Sequence, residues 1–114
     1  MDLYQPRKIK FKAWNKEARL LMRLNSIDCM KGELVKKNHI LLQFTGLHDQ
    51  QGEELYELDV VLLNGDQQLI FWNAEVNGWC LKKLTDTTVT QSLVKGLSDQ
   101  CVRLWSYFES AQNG

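Results

Sequence analysis

The chain has 114 residues, 44% of them hydrophobic and 25% charged, enough for one domain with one real core and outside the low-hydrophobicity, high-charge regime of disordered chains. No run approaches the roughly 18 apolar residues of a membrane helix, the Met1–Lys8 stretch lacks the apolar core of a secretory leader, and Cys29, Cys80 and Cys101 are too scattered for a disulfide framework; a cytoplasmic protein with no membrane partner is expected. The net charge of zero hides a split: residues 1–39 hold ten Lys/Arg and four Asp/Glu, a balance of +6, and residues 40–114 hold four and ten, a balance of −6.

In chain order, Lys8-Ile9-Lys10-Phe11-Lys12-Ala13-Trp14 alternates with period two, the mark of a half-buried strand. Ile9, Phe11 and Ala13 are expected to face inward, and Lys8, Lys10, Lys12 and Trp14 outward. Asn15-Lys16-Glu17 reads as a turn. Arg19 to Ile27 reads as a second strand with Leu20, Met22 and Leu24 inward. Polar breaks at Lys31-Gly32 and Asn38-His39 bracket a third, Glu33 to Lys36, and Ile40 to Phe44 is a fourth with Ile40, Leu42 and Phe44 on one face.

Thr45 to Gly52 breaks the alternation, and Asp49-Gln50-Gln51-Gly52 suits a type I turn. Strand character resumes at Leu58–Leu63. Asn64-Gly65 and Asn77-Gly78 are hairpin signals, because the central residues of a type I′ turn need positive φ. With Gln68–Trp72 and Trp79–Lys82 they make a three-stranded meander. Beyond Leu84, Thr85–Thr90 is polar, Ser92–Leu97 suits a helical turn and Val102–Phe108 a closing strand or, less well, a helix; the tail, Ala111–Gly114, is expected to fray.

Two of these stretches resemble a known family. Lys8-Ile9-Lys10-Phe11-Lys12-Ala13-Trp14 is similar to the opening strand of the YopX family, small proteins encoded mostly by phages and prophages. Leu42-Gln43-Phe44-Thr45-Gly46-Leu47-His48-Asp49-Gln50-Gln51-Gly52-Glu53-Glu54-Leu55-Tyr56-Glu57-Leu58-Asp59-Val60-Val61 resembles its central signature. The resemblance covers about residues 7–84. Two positions depart: Lys12 stands where arginine is common, and Leu58 stands where glycine usually precedes Asp-Val, which leaves open whether the backbone turns left-handed there. The resemblance implies a mainly β fold with an SH3-like small barrel, an additional N-terminal antiparallel β-region and little helix, together with homo-oligomers and a mobile-element origin. It implies no reaction. The division expected within a single domain spanning 1–114 is N-terminal strands over 7–44, signature loop and barrel meander over 45–84, and a closing segment over 85–114.

Chemistry-bearing patterns are sparse. No Cys-x-x-Cys pair accompanies His39 and His48, so a zinc site is not expected. A Cys80 thiol meeting His48 or His39 has no local support. The acids of the signature miss the calcium-loop spacing, and there is no glycine-rich phosphate cradle. Neither an enzyme nor a cofactor is expected.

Two surfaces remain as candidates. The first strand with its neighbour offers Lys8, Lys10, Lys12, Arg19 and Arg23 with Trp14 as a stacking platform, a pattern used by single-strand nucleic-acid binders. The plainer account is an edge strand defended by lysine, and a pI of about 6.7 is not that of a dedicated binder. Asp49, Glu53, Glu54, Glu57 and Asp59 are a candidate acidic docking patch, or else the signature determines the fold. Trp72 and Trp79 flank the second hairpin as a cross-strand core pair, or, if exposed, as a peptide groove or subunit contact. The expected function is a non-enzymatic, oligomeric interaction or assembly module of phage or prophage type, contacting itself or another phage or host protein; the alternative is a small nucleic-acid-binding module.

Overall fold

A computed structural model describes residues 3–112, with side chains through Glu109. Among these residues the fold is mainly β. The strands are β1 (Phe11–Asn15), β2 (Leu20–Arg23), β3 (Asp28–Met30), β4 (Glu33–Val35), β5 (His39–His48), β6 (Glu54–Tyr56), β7 (Asp59–Leu63), β8 (Asp66–Asn73), β9 (Gly78–Lys83), β10 (Thr90–Ser92) and β11 (Val102–Ser106). Two short helices follow the last bends, α1 (Lys95–Ser98) and α2 (Tyr107–Gln112). A four-stranded sheet runs β2-β1-β5-β6, a five-stranded sheet β10-β9-β8-β7-β11, and β3 pairs only with β4. Among the described residues these pairings are antiparallel, and the five-stranded sheet curls into a half-barrel.

The meander follows its turn chemistry. Asn64 and Gly65 both take positive φ (53° and 82°), closing a two-residue turn between paired Leu63 and Asp66. The second hairpin is not of this kind. Asn73 pairs with Gly78, so four residues form the loop, and of the Asn77-Gly78 pair only Asn77 is left-handed. The Asn73 side chain stabilises this longer loop by accepting from Glu75 N–H at 3.0 Å. Lys31-Gly32, read only as a polar break, is a tight turn with both residues at positive φ, and it pairs β3, which the pattern did not reveal, with β4.

The half-barrel curls around Leu55, Val61, Leu63, Ile70, Leu81, Leu93 and Cys101, all buried. Each such aliphatic side chain contributes about 1.5–3 kcal/mol on burial, so this cluster is the chief source of stability. Leu47 and Leu97 pack against it from the signature loop and from α1.

The N-terminal strands depart in part from expectation: Ala13 is fully buried as expected, but Trp14, expected outward, is buried too and Lys12 is half-buried. The register sets Lys12 opposite Leu42 and Arg23, and Trp14 opposite Ile40 and Leu21. Lys12 and Trp14 therefore share the face of Leu42, which is fully buried. Trp14 is itself buried and stacks on Phe108 of α2, ring centroids 5.1 Å apart. Ile9, expected inside, precedes β1 and is 60% exposed; Leu20, also expected inside, is 56% exposed. Alternation established a strand but not which side the rest of the chain would cover. β2 also stops at Arg23, short of the expected Ile27.

β5 runs through Thr45–His48, where a break was expected. It does so by a register shift between Phe44 and His48, with Gly46 at φ 86°, the geometry of a bulge. The Asp49–Gly52 turn forms as expected, Gly52 N–H donating to Asp49 O at 3.1 Å. At the other end, Val102–Phe108 divides: β11 stops at Ser106 and α2 begins at Tyr107. The expected fraying of the tail falls, for Asn113 and Gly114, outside the described residues.

Leu58 settles the question its sequence left open, for its φ is 63°. The corner is pinned from both sides: Leu58 N–H donates to Ile70 O and Tyr107 N–H donates to Leu58 O, each at 2.8 Å. A left-handed backbone costs an L-residue about 1–2 kcal/mol. Leu58→Gly is therefore expected to melt within about 1 kcal/mol of the parent, relief of strain offsetting lost packing and added unfolded-chain entropy. Leu58→Val, branched at Cβ, is expected to cost about 2 kcal/mol. Thermal melts of the pair check the sign.

Candidate functional site

The two charged sets meet each other. Lys12 and Arg23, on neighbouring strands, form one wall of an open cleft of about 210 Å³, and Gln51, Gly52, Glu53, Glu54 and Tyr56 of the signature form the other. Lys10 pairs ionically with Glu54 and lies 5.1 Å from the Phe44 ring centre. Lys12 sits 4.4 Å above the Tyr56 ring, a cation–π contact. Tyr56 OH donates to Glu54 Oε1 at 3.3 Å. The Lys10 and Lys12 contacts join the basic strand to the signature, and the Tyr56–Glu54 bond links their two partners within it.

Titration follows this arrangement. Burial, then the Arg103 charge, lowers the Lys12 ammonium. The Lys10 hydrogen bond holds Glu54 below the usual carboxylate range. Burial and the neighbouring Glu54 push Tyr56 up to about 12, away from the range a general base needs at neutral pH.

The basic stripe is thus not one free surface. Lys8 is exposed and Arg23 lines the cleft; Lys10 and Lys12 are engaged with the signature, Trp14 is covered, and Arg19 sits in the turn after β1 at φ 54°. Nor do the five acids form one patch. Glu53 is exposed and Glu54 is ion-paired, while Glu57 is half-buried beside Trp72 and Trp79.

Asp49 and Asp59 are buried and act as fasteners. Asp49 Oδ1 accepts from Gln51 N–H and Glu53 N–H, both at 2.9 Å, and its Oδ2 accepts from Arg103 N–H at 2.7 Å. Asp59 Oδ2 accepts from Tyr56 N–H at 2.8 Å. The Arg103 guanidinium forks onto Asp59, Nε to Oδ2 at 3.0 Å and Nη2 to Oδ1 at 3.3 Å, and also reaches Glu109 at 3.5 Å. Burial lifts the Asp59 carboxyl, partly offset by Arg103. Burial works against the Arg103 charge, but Asp59 outweighs it and holds the guanidinium above its ordinary value.

Arg103 is the residue sequence reasoning missed. Its signal was a lone cation in the apolar run Val102-Arg103-Leu104-Trp105, where a charge needs a buried partner. Among the described residues no three His, Cys, Asp or Glu side chains gather as metal ligands. His39 Nδ1 is 2.7 Å from Lys37 O, His48 packs on Phe44, and Cys80 and Cys101 are buried while Cys29 is exposed.

Fold and site together define a small, antiparallel β protein whose acidic loop bolts the N-terminal strands and the C-terminal strand onto a half-barrel. The chain belongs to the YopX family: the family model described as YopX protein matches residues 8–107. Among solved structures it is similar to the crystal structure of protein EF1440 from Enterococcus faecalis, at 16% identity and a TM-score of 0.61, over 95% of this chain and 99% of that one. At that identity the likeness concerns the fold. No curated protein matches the chain.

Proposed function

We propose that this protein is a non-enzymatic interaction module of phage or prophage type, needing no cofactor, that works in the cytoplasm as a homo-oligomer or on another phage or host protein. The observation that carries the reading is the β3–β4 hairpin. Every residue of both strands is exposed, including Met30 at 63%, Leu34 and Val35. An isolated two-stranded hairpin is marginal in water, and an apolar one gains most from being covered. The radius of gyration, 14.9 Å, exceeds the about 13 Å of a compact chain of this length. Free cysteines, one of them exposed Cys29, suit a reducing compartment.

In this reading the single domain is a half-barrel carrying attachments. β7 to β11 form a five-stranded meander with a helical turn, α1, before the last strand, and that strand pairs with the first. This order supports the reading of the half-barrel as a small barrel of SH3-like type. Self-association through the apolar arm has more support than matching of the +6 and −6 segments, since Lys10 and Glu54 already satisfy part of that charge within one chain. The nucleic-acid reading loses support from the buried Trp14.

Size-exclusion chromatography with light scattering tests the proposal. The parent is expected at a multiple of 13.3 kDa, and at about 1 M salt it should stay assembled, as an apolar contact does and a charge-matched one does not. Met30→Glu with Leu34→Glu should give monomers with an unchanged far-UV circular dichroism spectrum, because neither side chain belongs to the core. A parent that is monomeric at high concentration in low salt removes the reading.

A further inference from the structure

The inner face of the half-barrel ends in an aromatic corner. Ile70 and Leu81 are opposite each other and fully buried, and the next pair outward on that face is Trp72 with Trp79. Their rings meet edge to face, centroids 5.1 Å apart at 80°. Trp79 is anchored against the core, whereas Trp72 is 44% exposed. With Arg7, Gln43 and Glu57 they line an open cleft of about 400 Å³ at the junction with the four-stranded sheet.

Glu57 is what makes this cleft unusual. Its carboxylate is half-buried and accepts one long bond, from Gln43 N–H at 3.5 Å. Among the described residues no cation lies within ion-pair distance of it, and none stands over either indole. Burial raises its carboxyl, as expected where a charge lacks a counter-ion. Arg7 is exposed at the rim and forms no ion pair among the described residues.

We propose that the Trp72–Trp79–Glu57 cleft binds an alkylammonium cation, borne either by a small free molecule or by a lysine side chain of a partner polypeptide. An indole π-face attracts a cation, and Trp72 leaves part of its ring open to solvent. A carboxylate in the same cleft supplies the full opposite charge in a partly desolvated site, where it acts more strongly than in water. An anionic ligand would meet Glu57 at the cleft wall. The inference does not depend on self-association, since it uses the opposite end of the sheet from the turn at Asn64-Gly65 and none of the β3–β4 arm.

The test is an NMR titration following the four indole N–H signals with choline, with its neutral isostere in which a tert-butyl group replaces trimethylammonium, and with short peptides carrying lysine or trimethyllysine. Choline should shift the Trp72 and Trp79 signals saturably and leave Trp14 and Trp105 in place; the neutral alcohol should not. Glu57→Gln should weaken binding about tenfold by removing the counter-charge, and Arg7→Ala should tighten it about twofold by removing a like charge from the rim. Tighter binding of a lysine peptide than of choline assigns the cation to a polypeptide, and the reverse assigns it to a small molecule; either supports the site. Equal shifts with the neutral alcohol, a Glu57→Gln variant that binds unchanged, or an Arg7→Ala variant that binds choline more weakly would overturn it.

Discussion

Arg103→Met is expected to destabilise the fold by about 3–5 kcal/mol, measured by urea denaturation at neutral pH. The guanidinium is the partner of an Asp59 carboxylate that is 1% exposed, and removing it strands a buried charge. Adding Asp59→Asn should recover part of the loss, because an amide still accepts from Tyr56 N–H and carries no charge to strand. The pH dependence has a definite sign. Burial already holds the Asp59 carboxyl above its ordinary value of about 3.9, so the folded state binds that proton more tightly than the unfolded state. The associated stability is fully present below the unfolded value and is lost as pH rises through the raised folded one. Without Arg103 the folded value moves higher still. The deficit of Arg103→Met against the parent should therefore widen from about pH 4 to pH 7, and a deficit that is constant or widest in acid would contradict the role given to the pair.

Asp49→Ala ranks second, with an expected loss of about 2–4 kcal/mol. One carboxylate serves three backbone amides, two in its own turn and Arg103 N–H, 54 residues onward. Alanine leaves all three without that acceptor. Asp49→Asn should cost less, about 1–2 kcal/mol, since its single carbonyl oxygen can keep the bonds within the turn but not the bond to the strand. Hydrogen exchange separates the two effects. The Arg103 amide should exchange faster in both variants, whereas the Gln51 and Glu53 amides should do so chiefly in Asp49→Ala. The meander amides of β8 and β9, which pair with each other, should change least.

These expectations turn the signature into a fastening. Five acids in eleven residues invited the idea of a docking patch, yet two lie buried, one is ion-paired, one lines the tryptophan cleft and Glu53 is exposed. The choice between a ligand-facing acid and a backbone acceptor depends on what lies opposite, here β1 and β11, which are remote in sequence. Leu58 makes the same point about backbone. Its side chain left a left-handed corner open, and hydrogen bonds from Leu58 N–H to Ile70 and from Tyr107 N–H to Leu58 O hold one in place.

Local physics was legible in the residues themselves. Period-two alternation announced β1 and β5, Asn64-Gly65 announced its turn, and Asp49–Gly52 announced another, because steric preferences and one-residue hydrogen bonds act over a few positions. The same locality explains the YopX resemblance, carried by contiguous motifs. What the tertiary structure alone decided was which face of each strand is covered. Lys12 and Trp14 went inward because the register sets them beside Leu42 and Ile40 and because Phe108 and Tyr56 close over them. Arg103 found Asp59 across 44 residues. Burial is a property of the whole packed chain, and no short stretch of it carries that information.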